Sequence, residues 1–217
     1  MLNKNLIRKL SLGITGYLVP LFQSIPNIFG VWTSLMTIPF ISYLAIFFIS
    51  FPTSLYTALN VFFTSTIFFW DRICIIIGLF FLCYSSIYLC AKSKTGLVTS
   101  GPYRLVRHPQ YFGMVLSTLG LTSWSYWLLT HTYGIGFLTP QQTVSLWLIE
   151  LFTYVLLANI EDLYLSKEYK ETFENYRRRT PFLIPLIKTN RKSFDSLISI
   201  LIPVILLCIL NFFGPLL

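Results

Sequence analysis

The stretch ICIIIGLFFLCYSSIYLCA, residues 73–91, contains no charged side chain over nineteen positions. A helix needs about 20 predominantly apolar residues to cross the hydrocarbon core of a bilayer. The same pattern recurs along the chain, because no Asp, Glu, Lys or Arg occurs from Leu10 to Trp70 or from His108 to Ile149. The stretch therefore predicts one transmembrane helix among several in a polytopic membrane protein.

The other apolar runs predict the remaining spans of this protein. Apolar runs lie at roughly 10–28, 29–50, 53–70, 73–91, 109–130, 141–160 and 195–214. They are continuous rather than alternating, which excludes a β-barrel, and backbone groups in lipid must be paired within helices. The predicted fold class is an all-α transmembrane helical bundle of about 6–7 spans. The first run is broken by prolines, so it either crosses the membrane or lies in its interface.

The net charge of +8 does not indicate a nucleic-acid partner. Eight of the sixteen basic residues lie between Lys167 and Lys192, and four lie between Lys92 and Arg107. Both groups flank apolar runs, which is typical of residues that set topology and contact anionic lipid head groups. We therefore expect both loops to face the cytoplasm and the lipid bilayer to be the main partner. The membrane would be a bacterial or archaeal inner membrane, or the endoplasmic reticulum.

Two polar stretches at this predicted cytoplasmic face could carry chemistry. The first is KSKTGLVTSGPYRLVRHPQYFG, residues 92–113, where Pro109 suits the first turn of a helix and His108 its cap. The second begins at Glu161 and Asp162, directly after the run 141–160. The four cysteines all lie inside apolar runs without metal-ligand spacing, and we expect no metal site.

One helix face connects the second polar stretch to the membrane interior. Glu150, Tyr154, Leu157 and Glu161 are spaced by four, three and four residues, so they share a face. A carboxyl as deep as Glu150 is costly in lipid and should face the bundle interior. It is either a structural acid bonded between helices or a functional one.

Three motifs together resemble a known family. LVTSGPYRLVRHPQYFG (97–113), the acidic pair 161–162 and EYKETFENYRRRTPFLIP (168–185) occur in the order typical of the isoprenylcysteine carboxyl methyltransferase and phospholipid methyltransferase superfamily. These are integral-membrane enzymes that use S-adenosylmethionine, with a cofactor pocket at the cytoplasmic face. The resemblance covers about residues 75–187. It implies N-terminal membrane helices in 1–74, a methyltransferase core in 75–187 and an additional C-terminal helix in 188–217.

The resemblance also implies roles for single residues. Glu161 matches the acid that receives the cofactor's ammonium group, which is a charge-assisted bond. Arg107 is a candidate for the cofactor's carboxylate, although an arginine beside a membrane helix is also a common lipid anchor. With Asp162, these two residues are the catalytic candidates. The cofactor-binding candidates are Thr95, Gly96, Leu97, Val98, Gly101, Tyr103, His108, Pro109, Tyr111 and Glu161.

The acceptor is less well defined by the resemblance. Leu157 stands where carboxyl methyltransferases have an arginine that orients the substrate carboxylate, and Tyr154 and Glu150 are the other substrate-facing candidates. We expect methylation of a lipophilic small molecule or a prenylated or lipid substrate. Carboxyl O-methylation is the first expectation, with amine N-methylation and thiol S-methylation as alternatives. A non-enzymatic transporter or assembly protein is the alternative of another class, and a nicotinamide-dependent sterol-reductase-like activity ranks last.

Overall fold

All regular secondary structure that the structure describes is helical, which confirms the predicted fold class. A computed structural model describes residues 28–50, 55–92, 96–132, 137–188 and 192–213. The helices are α1 (Ile28–Ile49), α2 (Leu55–Thr64), α3 (Phe69–Lys92), α4 (Pro109–His131), α5 (Pro140–Arg179) and α6 (Lys192–Phe213). Single 3-10 turns lie at Thr66–Phe68 and Gly101–Arg104. The chain divides into two compact units, Met1–Ile38 and Pro39–Leu217, and the second contains all the features described below.

Three helical segments of the described chain are long and apolar enough to cross a membrane. They are Thr66–Lys92, Pro140–Arg179 and Ser193–Phe212. The predicted run 53–70 is not one helix, because α2 ends at Thr64 and a 3-10 turn leads into α3. A ten-residue helix is only about 15 Å long, half the thickness of the hydrocarbon core. Most of the predicted first run, residues 10–27, lies outside the described residues.

Helix α4 lies at the centre of the bundle and packs against α3, α5 and α6. Its many buried hydroxyl groups are satisfied by the preceding turn of the same helix. Ser117 donates to the carbonyl of Gly113 at 2.8 Å, and Thr122 donates to that of Thr118 at 2.7 Å. Such self-satisfied hydroxyls are compatible with an apolar interior. Helix α4 is therefore central even though it contains many hydroxyl side chains.

Glycines set the distance between α3 and α4. A Cβ atom on Gly113 would lie 2.6 Å from the carbonyl oxygen of Gly78, and a Cβ on Gly120 would lie 2.6 Å from that of Asp71. Small residues let two membrane helices approach to backbone contact. This contact fixes the start of α4, and hence the loop before it, relative to α3.

Helix α5 is longer than a membrane span. The thirty residues before the break at Lys170 correspond to about 45 Å of helix, more than the thickness of the hydrocarbon core. The helix begins with a capping box between Thr139 and Gln142 and bends at Lys170, where φ is 43°. The helical stretch before Lys170 carries Glu161 and Asp162 past the end of the apolar run at Ile160 on one continuous helix.

We predict that Gly113→Ala lowers the stability of the bundle by about 1–3 kcal/mol. The added methyl group would meet backbone atoms of α3, which cannot move aside as a side chain could. The measurement is thermal unfolding of the purified protein in detergent. Cys83→Ala, at an exposed position of α3, is the control, and equal unfolding midpoints for the two variants would contradict the packing described.

Candidate functional site

Segments distant in sequence meet at one end of the described bundle. The loop 96–108 connects α3 to α4 and ends in Arg107 and His108. Helix α5 supplies Glu161 and Asp162, and the first turn of α6 supplies Asp195. The predicted catalytic candidates are therefore brought together with a carboxylate from the C-terminal helix.

His108 lies between the two adjacent carboxylates of α5. It caps α4, with Pro109 at the first helical position as predicted. Its side chain is only 3% exposed, with Nε2 3.0 Å from Asp162 Oδ1 and Nδ1 3.3 Å from Glu161 Oε2. Burial alone would lower the pKa of His108, but the charges and hydrogen bonds of Asp162 and Glu161 raise it to about 9. The imidazole is therefore protonated at neutral pH and donates from both nitrogens.

Arg107 is held between two carboxylates. Its Nη1 is bonded to Asp162 Oδ2, and its Nη2 lies 2.9 Å from Asp195 Oδ2. Its backbone N–H donates to the carbonyl of Pro181 at 2.9 Å, and its Cζ lies 4.9 Å from the ring centroid of Phe182. A desolvated guanidinium over an aromatic face gains a cation–π attraction. The residue is thus buried with both terminal nitrogens paired, while its Nε atom has no hydrogen-bond partner among the described residues.

The charged side chains form one row of alternating sign. In order they are Asp195, Arg107, Asp162, His108 and Glu161. Three carboxylates and two cations leave a single net negative charge. The side chains of the first two acids are 8–9% exposed, whereas that of Glu161 is 26% exposed. The net charge is therefore accessible at the Glu161 end of the row.

Tyr103 contributes a buried hydroxyl group to the Glu161 end of the row. Its hydroxyl has no hydrogen-bond partner among the described residues, while its backbone carbonyl accepts from the hydroxyl of Tyr176 at 2.7 Å. Burial, and then the charge of Glu161, raise the pKa of Tyr103, so the phenol stays neutral. A buried hydroxyl that finds no partner costs free energy unless a ligand or water satisfies it.

The loop before Tyr103 is fixed to α3 by a glycine. Gly101 has φ +62°, and a Cβ there would lie 2.7 Å from the Tyr88 ring, whose hydroxyl is 2.8 Å from Ser100 Oγ. Gly96 also has a positive φ of +97°. Of the other predicted cofactor residues in this loop, Val98 is buried and Leu97 half-buried, and Thr95 lies outside the described residues.

An aromatic column leads from the site into the bundle. The ring of Tyr111 stacks at 5.5 Å on His108 and, on α5, at 5.5 Å on Tyr154, which is fully buried. The column connects His108 and Tyr111, two of the predicted cofactor-binding residues, to Tyr154, which is predicted to face the substrate. Leu157 is half-buried on the next turn of α5.

Glu150 is separated from the charged row. It precedes Glu161 by eleven residues, which is about 16 Å along a helix. It is 4% exposed, and neither carboxyl oxygen has a hydrogen-bond partner among the described residues. The neighbouring Thr118 hydroxyl donates instead to the carbonyl of Met114 at 3.0 Å. Its predicted role toward the substrate stays a prediction.

Asp195, Pro181 and Phe182 belong to the site and were not among the sequence candidates. Asp195 is the only acid in the run 195–214. Its position at the start of an apolar run was the sequence feature that could have marked it as a site residue. Its partner is 88 residues away in the chain, so the sequence gives no indication of which cation it meets.

These features define an integral-membrane helical protein with a buried histidine–carboxylate site at one end of its bundle. The chain belongs to the phospholipid methyltransferase family, which matches residues 44–172. This match includes the loop, α4 and the acidic pair of α5, and it ends before Pro181 and α6.

Two curated relatives match part of the chain. It is 29% identical over 119 residues to the nickel-cobalt-cadmium resistance protein NccN of Alcaligenes xylosoxydans xylosoxydans, covering 54% of this chain and 49% of that protein. It is 32% identical over 108 residues to the cobalt-zinc-cadmium resistance protein CzcN of Cupriavidus metallidurans, covering 50% and 44%. The chain thus spans about half the length of these relatives. No solved structure matches it.

The raised pKa of His108 predicts a pH-dependent stability. Because the folded-state pKa of about 9 lies above the usual 6.5, the stabilisation is complete below about pH 6.5 and is lost as pH rises through about 9. A rise of this size corresponds to roughly 3 kcal/mol. Unfolding midpoints in detergent between pH 6 and 10 measure it. His131→Gln, at an exposed position, should keep the profile, and an unchanged profile in His108→Gln would contradict the account.

Proposed function

We propose that this chain is an S-adenosylmethionine-dependent methyltransferase that acts on a lipophilic acceptor at the cytoplasmic face of its membrane. Membership of the phospholipid methyltransferase family supports the reaction class. The observation that carries the proposal is the Glu161 carboxylate, which is accessible, paired with His108 and electrostatically coupled to Tyr103, whose hydroxyl has no hydrogen-bond partner among the described residues.

The residues present fit the cofactor. S-adenosylmethionine has a sulfonium, an ammonium and a carboxylate, so its net charge is positive and complements the net negative charge of the row. Glu161 would hold the ammonium group through a charge-assisted bond. The Tyr103 hydroxyl and the backbone of the loop 96–101 supply neutral donors and acceptors for the remaining polar groups. Arg107 is already paired with two carboxylates, so it would orient Asp162 rather than bind the cofactor.

The bound cofactor supplies an electrophilic methyl group, and the chain has to position a nucleophile in line with it. The residues of the chain hold the site rigid and exclude water from its buried side. Asp162 has both oxygens bonded, to His108 and to Arg107. An amine or thiol nucleophile would lose its proton to water at the accessible end of the site, so Glu161 stays available to hold the ammonium group of the cofactor.

An apolar groove supports a lipophilic acceptor. It encloses about 300 Å³ and is lined by side chains of α4, the segment 183–186 and α6. It includes Phe112, whose backbone N–H donates to the carbonyl of His108 at 3.0 Å, so the groove starts one helical turn from the site. A hydrocarbon tail that enters laterally from the bilayer would place a polar head group near the charged row.

The charge of the site favours an uncharged nucleophile over a carboxylate. Arg107 and His108 each already pair with two carboxylates, and Leu157 offers no cation. A carboxylate acceptor would therefore find no unpaired cation among these residues to orient it. We therefore propose N-methylation of an amine or S-methylation of a thiol rather than carboxyl O-methylation.

The names of the curated relatives concern resistance to metal ions. Among the described residues, no group of three or more His, Cys, Asp or Glu side chains could hold a metal ion. We therefore do not propose that this chain binds metal ions. No observation on the described residues specifically favours a role as a transporter or an assembly protein.

Binding of the cofactor tests the proposal. We expect wild-type protein in detergent or nanodiscs to bind S-adenosylmethionine in isothermal titration calorimetry, and Glu161→Gln to weaken binding by about ten- to a hundredfold, the value of a charge-assisted hydrogen bond. Glu168→Gln removes the same charge from an exposed position of α5 and should bind normally. Absence of binding to wild-type protein at near-millimolar cofactor would overturn the proposal.

A further inference from the structure

The C-terminal helix supplies one end of the buried charge row although it lies outside the residues that match the family. Asp195 is 8% exposed, and its Oδ2 lies 2.9 Å from Nη2 of Arg107, which is 5% exposed. Nothing about the apolar run that follows requires an acid to be buried at this place. The buried pair of Asp195 and Arg107 therefore indicates that Asp195 has a role in the site.

We propose that Asp195 is a positioning residue of the candidate site, which acts through Arg107 on Asp162 and thereby on the orientation and protonation of His108. This inference rests on the proposed function only in the measurement of cofactor binding. Its other measurements concern the charged side chains of the row.

The planar guanidinium of Arg107 links Asp195 to Asp162. A planar guanidinium presents its donors in a fixed fork, so carboxylates bonded to its two terminal nitrogens determine its orientation. Arg107 in turn bonds Oδ2 of Asp162, which leaves Oδ1 directed at Nε2 of His108 at 3.0 Å. Without Asp195, Asp162 would be the only carboxylate on the fork. Arg107 could then rotate, and the Asp162 carboxylate would lose its fixed orientation toward His108.

Two more contacts come from the same C-terminal part of the chain. The carbonyl of Pro181 accepts the backbone N–H of Arg107 at 2.9 Å, and the Phe182 ring faces its guanidinium. Phe182 also meets the His108 ring edge-on at 5.2 Å. The segment after the matched region therefore holds Arg107 from several directions, and Asp195 is the charged member of this set.

The direction of the effect on His108 follows from the charges around it. Removal of the Asp195 charge leaves the positive charge of Arg107 balanced by Asp162 alone, and a less compensated cation nearby lowers the proton affinity of an imidazole. The charges and hydrogen bonds of Asp162 and Glu161 raise the pKa of His108, and Asp195 would act on it through Arg107 and Asp162. Several titratable and charged groups face His108 or its partners. They are Glu161, Asp162, Tyr176 and Arg177 from α5, Tyr111 from α4, Tyr103 and Arg107 from the loop, and Asp195 from α6.

A purely structural role for Asp195 makes a different prediction. An acid in the first turn of a helix stabilises that helix through its dipole. If this were its whole contribution, Asp195→Asn would lower the unfolding midpoint and leave the titration of His108 unchanged.

The test is the pH titration of His108 by NMR in cofactor-free protein. The chain contains two histidines, so the His131→Gln background leaves a single imidazole signal. We expect Asp195→Asn to lower the pKa of His108 by about one unit, a tenfold loss of proton affinity, and Asp195→Glu to retain it. The control is Glu171→Gln, which removes one negative charge from an exposed position of α5. An unchanged His108 titration in Asp195→Asn overturns the inference.

A second measurement needs no variant at Asp195 and applies if Asp195→Asn does not fold. In wild-type protein, the ¹³C shift of the Asp195 carboxyl should show an inflection at the pH where His108 titrates. A flat shift across that pH overturns the inference.

Cofactor binding extends the test. For Asp195→Asn at pH 8, the dissociation constant for S-adenosylmethionine should rise about fivefold or more, as expected for coupled sites. If wild-type protein binds no cofactor, the proposed function fails while the titration result stands independently.

Discussion

A buried imidazolium between two adjacent carboxylates is the constraint on which this end of the bundle depends. A charge removed from water must be paired and hydrogen-bonded, because leaving it alone costs several kcal/mol. His108 meets this requirement only if α4 starts at the level of α5 where Glu161 and Asp162 lie. Arg107 adds the same requirement for α6 through Asp195. The polar end therefore specifies how three helices are placed along one another.

The apolar packing makes that placement possible. Backbone contact between α3 and α4 at Gly78 and Gly113 fixes the start of α4, and the loop before it is held against α3 by Gly101. The self-satisfied hydroxyls of Ser117 and Thr122 let α4 bury these polar groups at the centre of the bundle. Close packing and charge pairing thus act on the same segment, and together they leave Glu161 accessible while His108 is buried.

The fold and half of the site could be predicted from the sequence. Helices α1, α3, α4 and α6 follow from uninterrupted apolar runs, and the cap at His108 follows from Pro109. The pairing of Arg107 with Asp195 could not be predicted, because an ion pair between residues 88 positions apart depends on tertiary packing. Arg107 as a ligand for the cofactor's carboxylate loses support for the same reason, because its terminal nitrogens are engaged by acids from two other helices.

The central claim is that the accessible carboxylate of Glu161 serves a methyl transfer to a lipophilic acceptor. The most direct measurement incubates the purified protein with S-adenosylmethionine that has a radiolabelled methyl group and with membrane lipid extract, followed by organic extraction. The account predicts label in a base-stable product, as an N- or S-methyl group is, with wild-type protein and little with Glu161→Gln. Label released as methanol by mild base would indicate a carboxyl ester and contradict the acceptor class, and the absence of labelled product would contradict the central claim.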